Sequence, residues 1–233
     1  MSDIAFTLNY TNLYLINTTP GEAEKTWARI GAGINSVDWE GNEEVSQDAY
    51  YDGDGLSSSD VTGGQMVGTF EGHRKYGDPA QDYIASTLLD YGDGRKTDFR
   101  WIAPDGQILE GEVTIANVKP QGGDPNAKSD FGFELHFNGM PAYEAGDAAE
   151  FPEAVTCSAV TVKIGASTAA GATVTPSGAS PALVYGIEDD SVATVDAEGN
   201  VKGVKAGKTK LSIKSAVKPV VTATCDVTVS AAS

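Results

Sequence analysis

Only one stretch of this 233-residue chain carries a clear helical period, and that constrains the fold more than any other feature. The stretch is "DPAQDYIASTLLDYG", Asp78 to Gly92. Asp78 is placed to act as N-cap and Pro79 as the first helical residue, where a missing N–H costs nothing. Gln81 sits where a capping box needs it. Ile84, Leu88 and Tyr91, with Leu89 beside them, recur on one face, and Gly92 is a fitting C′ residue. Asp78 and Asp82 also suit the positive end of the helix dipole. Elsewhere the pattern is short apolar runs cut by turn residues. With 27 glycines, this predicts a mainly β protein.

In the first two thirds, "SDFGFELHFNG" alternates cleanly. Phe131, Phe133, Leu135 and Phe137 face one way, and Gly132, Glu134, His136 and Asn138 the other. "TDFRWIAPDGQILEGEVTIANV" reads as two strands around the turn Ala103-Pro104-Asp105-Gly106. "QMVGTFEGHRKY" alternates more weakly. The last third is a succession of short strands, "AVTVKIG", "ALVYGIED", "VATVDAEGNVKGVKAG", "KTKLSIKSA" and "ATCDVTVSA", separated at the spacing a β-sandwich requires. Between the two regions, "YEAGDAAEFPEA" has no apolar period and reads as a linker. The expected organisation is therefore one domain over 1–142, a linker over 143–154 and a second domain over 155–233.

The charge is segregated. Up to Pro152 the chain has 26 acids and 9 bases; from Glu153 on it has 7 of each. The whole net charge of −17 thus lies in the first two thirds. Such a domain repels nucleic acid and anionic membranes. No apolar run is long enough to span a membrane. The N-terminal "MSDIAFTLNYTNLYL" lacks a basic region and a small-residue cleavage site, so synthesis in the cytoplasm is expected. That compartment makes Cys157 and Cys225 two reduced, core-facing thiols, although their positions on the first and last strands of the second domain would also permit a bridge.

Catalytic signatures do not appear. There is no G-x-S-x-G, Walker A or H-E-x-x-H pattern, and "GAGINS", Gly31 to Ser36, lacks the third glycine of a dinucleotide motif. His73 and His136 have no Cys or His at ligand spacing and read as strand-surface residues. Scattered carboxylates single out no glycosidase pair. Trp27, Trp39 and Trp101 read as core or interface residues. The stretch "DAYYDGDGLSSSD", Asp48 to Asp60, invites a calcium reading. An EF-hand loop started at Asp52 puts Leu56 at the fifth place, Ser57 at the sixth and Gly63 at the twelfth, so the pattern fails. A solvated glycine-rich turn is the plain alternative. The chain is expected to be no enzyme and to need no cofactor or metal.

Two resemblances follow from quoted residues. "SVATVDAEGNVKGVKAGKTKLSIKS", Ser191 to Ser215, resembles the hallmark of bacterial group 2 immunoglobulin-like domains. Val192, Val195, Val201 and Val204 are the inward residues on that reading, Gly199-Asn200 the tight turn, and Gly203 and Gly207 strand ends. "GGQMVGTFEGHRKYGDPAQDYI", "RKTDFRWIAPDG" and "AKSDFGFELHFNGMP" resemble the tail tube proteins of long-tailed, non-contractile bacteriophages. That resemblance implies two packed β-sheets flanked by one helix, assembly into six-membered rings and stacking of rings into a tube that conducts DNA. It implies a virion-tail location, with assembly in the bacterial cytoplasm. It also implies a tape measure protein, a tail terminator and a distal tail protein as partners, with phage DNA passing through unbound. The second domain would decorate the outside, touching the host cell wall weakly, and be dispensable for tube formation. A long loop near Trp39 to Gly64, bearing Asp48, Asp52, Asp54 and Asp60, would reach the neighbouring ring. The alternatives are a contractile-tail or injection-system tube, a capsid-decorating protein, and a carbohydrate-binding adhesin using the Ig-like domain.

Overall fold

In the computed structural model, residues 8–145 and 151–231 are described. The middle of the expected linker, 146–150, lies outside them. By packing, the chain forms two compact units. One holds the described parts of Met1–Gly31, Phe99–Glu110 and Ala142–Ser233; the other holds Ala32–Asp98 and Gly111–Pro141. The fold is mainly β, with one short α-helix.

The strands in chain order are β1 (Leu13–Asn17), β2 (Trp27–Ile30), β3 (Ile34–Glu40), β4 (Glu44–Ala49), β5 (Ser57–Gly63), β6 (Val67–His73), β7 (Lys96–Ile102), β8 (Ile108–Lys119), β9 (Asp130–Phe137) and β10 (Ala142–Glu144). The helix α1 (Pro79–Ser86) lies between β6 and β7. From the linker onward come β11 (Ala154–Thr156), β12 (Val160–Lys163), β13 (Ser167–Ala169), β14 (Thr173–Thr175), β15 (Leu183–Ile187), β16 (Ala193–Val195), β17 (Asn200–Gly203), β18 (Gly207–Ser215) and β19 (Thr222–Ser230).

The second unit is built on the alternation of β9. Phe131, Phe133, Leu135 and Phe137 are buried as the sequence predicts, against Phe70 of β6 and Val113 and Ile115 of β8. Phe70 stacks on Phe133 with ring centroids 4.9 Å apart, and Trp39 of β3 closes edge-on over Phe70 at 5.9 Å. Each such side chain contributes about 1.5–3 kcal/mol by leaving water. The four antiparallel strands run β8-β9-β6-β3. The β7–β8 turn forms as expected: the Gly106 N–H donates to the Ala103 carbonyl at 3.0 Å, with Gly106 at φ +85.

The helix starts where predicted and stops early. The Asp78 carboxylate accepts from the Gln81 N–H at 3.0 Å, a true N-cap. The α-helix ends at Ser86, and Thr87–Leu89 tighten into a 3₁₀ turn. Leu89 and Tyr91 are then exposed rather than packed, which corrects the predicted apolar face. Ile84 alone of that series is fully buried, with Ala80 beside it. Gln81 does not close a capping box. It is buried, accepts from the Lys75 N–H at 2.7 Å, and donates to the carbonyls of Ala32 at 2.6 Å and His73 at 3.1 Å. Gly33 next to that staple has φ +76, and a Cβ there would come 2.4 Å from the His73 oxygen.

In the first unit, β1 pairs with β2 on one side and β7 on the other, while β10 pairs with Ile108–Glu110 of β8. From β11 on, the chain is a sandwich. A four-stranded sheet, β12-β19-β18-β15, with β12 parallel to β19, faces a three-stranded sheet, β13-β17-β16. Val162, Leu211, Ile213, Val227 and Val229 pack against Val201 and Ala193 between them, and β11–β14 contributes Val155. Val201 is fully buried and Val192 and Val195 partly so, as expected. Val204 is half-exposed, because it lies past the end of β17 in the loop to β18. Gly203 ends β17, but Gly207 opens β18. Cys157 and Cys225 are free thiols.

Candidate functional site

The acidic stretch forms a hairpin. β4 and β5 pair only with each other, in a two-stranded sheet of their own. Asp48 stands opposite Ser58, and Asp60 opposite Ser46. Asp52 lies in the 3₁₀ turn Tyr51–Gly53, and Asp54 follows it in the left-handed region at φ 49. All four aspartates are exposed, and they spread along the hairpin instead of converging. Among the described residues no group of three or more His, Cys, Asp or Glu could hold a metal ion. The hairpin also exposes Val45, Tyr50, Tyr51, Leu56 and Val61. An isolated two-stranded ribbon is marginal in water, and this one leaves five large apolar side chains exposed.

A second feature is the polar face of β9 and β8 in the same unit. The Glu134 carboxylate receives His136 Nε2 and Asn117 Nδ2, each at 2.8 Å. A register shift between Ala116 and Lys119 puts Asn117 at φ 47 and aims its amide there. These bonds, led by that from His136, hold the Glu134 carboxyl below its ordinary value. Alongside, Asn138 Nδ2 donates to Glu112 at 2.8 Å, and Lys119 pairs with Asp130 at 2.8 Å. The face is therefore acidic but internally bonded, which fixes its side chains. His136 is the strand-surface residue the sequence predicts, with one carboxylate partner.

The third feature was not foreseen. Arg100 of β7 donates from Nε to Glu110 at 2.7 Å and from Nη1 to Glu198 at 2.5 Å, and its guanidinium lies 4.5 Å over the Trp27 ring. Lys25 adds a bond to Glu110 at 3.2 Å. Glu198 is delivered by the β16–β17 turn, which Asp196 organises by accepting from the N–H groups of Glu198 and Asn200. In the same turn Gly199 sits at φ +86 against Tyr185, and the Ala197 N–H donates to the Trp27 carbonyl at 3.0 Å. Beside this lies a buried cluster of Leu13, Leu15 and Trp27 with Ala182 and Ala216. Reading Trp27 as core or interface is borne out at this point. No local signal pairs Arg100 with an acid 98 residues away.

Known proteins show the following likenesses. Residues 152–231 match the family model of the bacterial Ig-like domain (group 2). No curated protein matches the chain. Among solved structures, the chain is similar to a subunit in the tail of an empty GTA particle with C6 symmetry, at 18% identity and TM-score 0.48, covering 60% of this chain and 100% of that one. It is also similar to a subunit in the virion of a native gene transfer agent particle, at 17% identity and TM-score 0.49, with coverage of 60% and 100%. A third is in the sheath–tube complex of an extracellular contractile injection system, PVC, at 15% identity and TM-score 0.37, with coverage of 62% and 95%.

Proposed function

We propose that this chain is a structural subunit of a phage-type tail tube, self-assembling into rings that stack around a DNA conduit, with the Ig-like domain on the outside. The rings are hexameric on this reading, the tail is non-contractile, and the tube domain and Ig-like domain divide near residues 142–155. Assembly takes place in the bacterial cytoplasm. The ends of the tube meet a terminator and a distal tail protein, and a tape measure protein fills it before DNA does.

The observation that carries the reading is the β4–β5 hairpin. Its five large apolar side chains and its four aspartates are exposed, and its two strands pair only with each other. A neighbouring copy that covers it would remove that apolar surface from water. The aspartates would meanwhile keep free subunits apart until a template overrides their repulsion. Such a head-to-tail contact is heterologous, so it generates closed rings or open stacks. The confinement of all excess acid to the first two thirds fits a conduit wall that phosphate does not stick to. The resemblance of the strand and helix-cap segments to tail tube proteins supports the same conclusion.

The test is negative-stain electron microscopy and sedimentation of the full chain beside a variant in which residues 45–62 are replaced by a two-residue Asn-Gly turn. The full chain should form rings or hollow tubes on concentration. The variant should stay folded and fail to stack. Tubes of parental length from the variant would remove the hairpin's role, and a full chain that stays monomeric at every concentration would overturn the reading.

A further inference from the structure

The chain has two cysteines, and they come from the beginning and the end of the Ig-like domain to meet in its core. Cys225 lies in the middle of β19, opposite Leu211 of β18, and is 8% exposed. Cys157 lies just past β11, in the connection to β12, and is half-buried against the same core. β11 packs on β19, and the two thiols are hydrogen-bonded to each other while both stay free. Among the described residues no third His, Cys, Asp or Glu joins them in a group that could hold a metal ion. The chemistry that two thiols in contact offer is exchange with a disulfide.

The two thiols are unequal. Burial first, and then the hydrogen bond and charge of Cys157, push the Cys225 thiol up to about 12. Cys225 therefore holds its proton and makes a poor first nucleophile. Cys157 is the more accessible sulfur. It also lies outside the strands, so its backbone is free to give the small shift that turns contact into a bond of about 2.05 Å. The strand it follows is the loosest part of the sandwich: β11 and β14 pair only with each other, whereas β19 is an interior strand of the four-stranded sheet.

We propose that Cys157 and Cys225 are a disulfide-forming pair that reacts with small-molecule disulfides, Cys157 attacking and Cys225 resolving, and that the bridge clips β11 to β19. In the first step the Cys157 thiolate attacks one sulfur of the small disulfide. A mixed disulfide forms, the small S–S bond breaks, and one thiolate leaves and takes up the proton that Cys157 lost. In the second step Cys225 gives its proton to water and attacks the Cys157 sulfur, expelling the second small thiol. Two protein thiols are thus oxidised by two electrons, and one disulfide is reduced to two thiols. The order suits the pair, because Cys157 in a mixed disulfide carries no charge and no longer raises its neighbour. On the tail reading the chain leaves a reducing cytoplasm for an exterior where such a bridge persists, but the chemistry does not depend on that reading.

The experiment incubates the folded full-length chain with oxidised glutathione, beside a control in reduced glutathione. Intact mass, free thiols after denaturation and thermal melting are then read. The parent should lose the mass of two hydrogens, keep no glutathione and form no link to another copy. Its Ig-like domain should melt about 10 °C higher than in the reduced control, as closure of a long loop predicts. Cys225→Ala should retain one glutathione, at Cys157. Cys157→Ser should react at least about tenfold more slowly than Cys225→Ala, because its one thiol is buried. A parent that keeps both thiols, retains glutathione or links to other copies would overturn the inference, and that result stands whether or not the variants fold. Equal rates in the two folded variants would overturn the assigned order of attack. No readout here uses rings or tubes, so the tail reading fails or holds on its own test.

Discussion

The buried Gln81 shows how much one side chain decides in the second unit. Its amide holds the Lys75 N–H and the carbonyls of Ala32 and His73, thereby tying the start of α1 to the entrance of β3 and the end of β6. Leu in its place would fill the volume and strand all three backbone groups. Gln81→Leu should therefore cost about 2–4 kcal/mol, read from urea unfolding; a loss under about 0.5 kcal/mol would mean that water replaces the amide. Cys225 makes a second prediction. Burial, with a smaller contribution from its bond to Cys157, pushes its thiol from the ordinary 9.0 up to about 12. In the unfolded chain that thiol ionises above about pH 9, while the folded chain keeps its proton. Stability should thus be complete below about pH 9 and decline as pH rises towards about 12. Cys225→Val should flatten part of that decline relative to the parent, and an identical alkaline slope in both would refute the linkage.

At the scale of elements, the sequence was legible where one period ran against one environment. β9 alternates because one of its faces meets the Phe70 cluster and the other does not, so its burial pattern is visible in "FGFELHF". The N-cap of α1 was legible because it depends on Asp78 and Pro79 alone. The end of that helix was not. Leu88, Leu89 and Tyr91 keep the helical spacing, but Thr87 bonds back to the Ile84 carbonyl at 2.8 Å and the chain tightens and leaves. Leu89→Ser and Tyr91→Ser should accordingly change monomer stability by less than about 0.5 kcal/mol in thermal melts, as surface substitutions do. A loss of about 2 kcal/mol would restore the longer packed helix. The acidic stretch shows a different limit. Its spacing departs from the EF-hand pattern, but its hairpin register of Asp48 to Ser58 rests on backbone pairing that alternation does not reveal when both faces are exposed.

At the scale of the whole molecule, residues of the Ig-like domain share one buried cluster with the N-terminal strands of the first unit. Within the first unit, Leu13, Leu15 and Trp27 are each 2% exposed, and they are packed with Ala182 and Ala216, with Val184 and Ala197 at the margin. The Ala197–Trp27 bond and the Arg100–Glu198 pair fix that packing in one register. Cutting the chain before Val155 would remove Ala182, Val184, Ala197 and Ala216 from that cluster and leave Ile102 as the remaining neighbour, uncovering apolar surface of Leu13, Leu15 and Trp27. Full burial of such side chains is worth about 1.5–3 kcal/mol each, and the strip they form would be an adhesive surface. The truncated chain is therefore expected to bind the dye ANS, to melt lower than the same strands in the parent, and to precipitate on concentration instead of forming ordered tubes. Leu13→Thr with Leu15→Thr should restore part of its solubility, because threonine keeps the strand propensity while removing apolar surface. A truncated chain that stays soluble, leaves ANS dark and melts like the parent would show that the N-terminal strands cover themselves. In that case the Ig-like domain would be the removable decoration that its family resemblance implies.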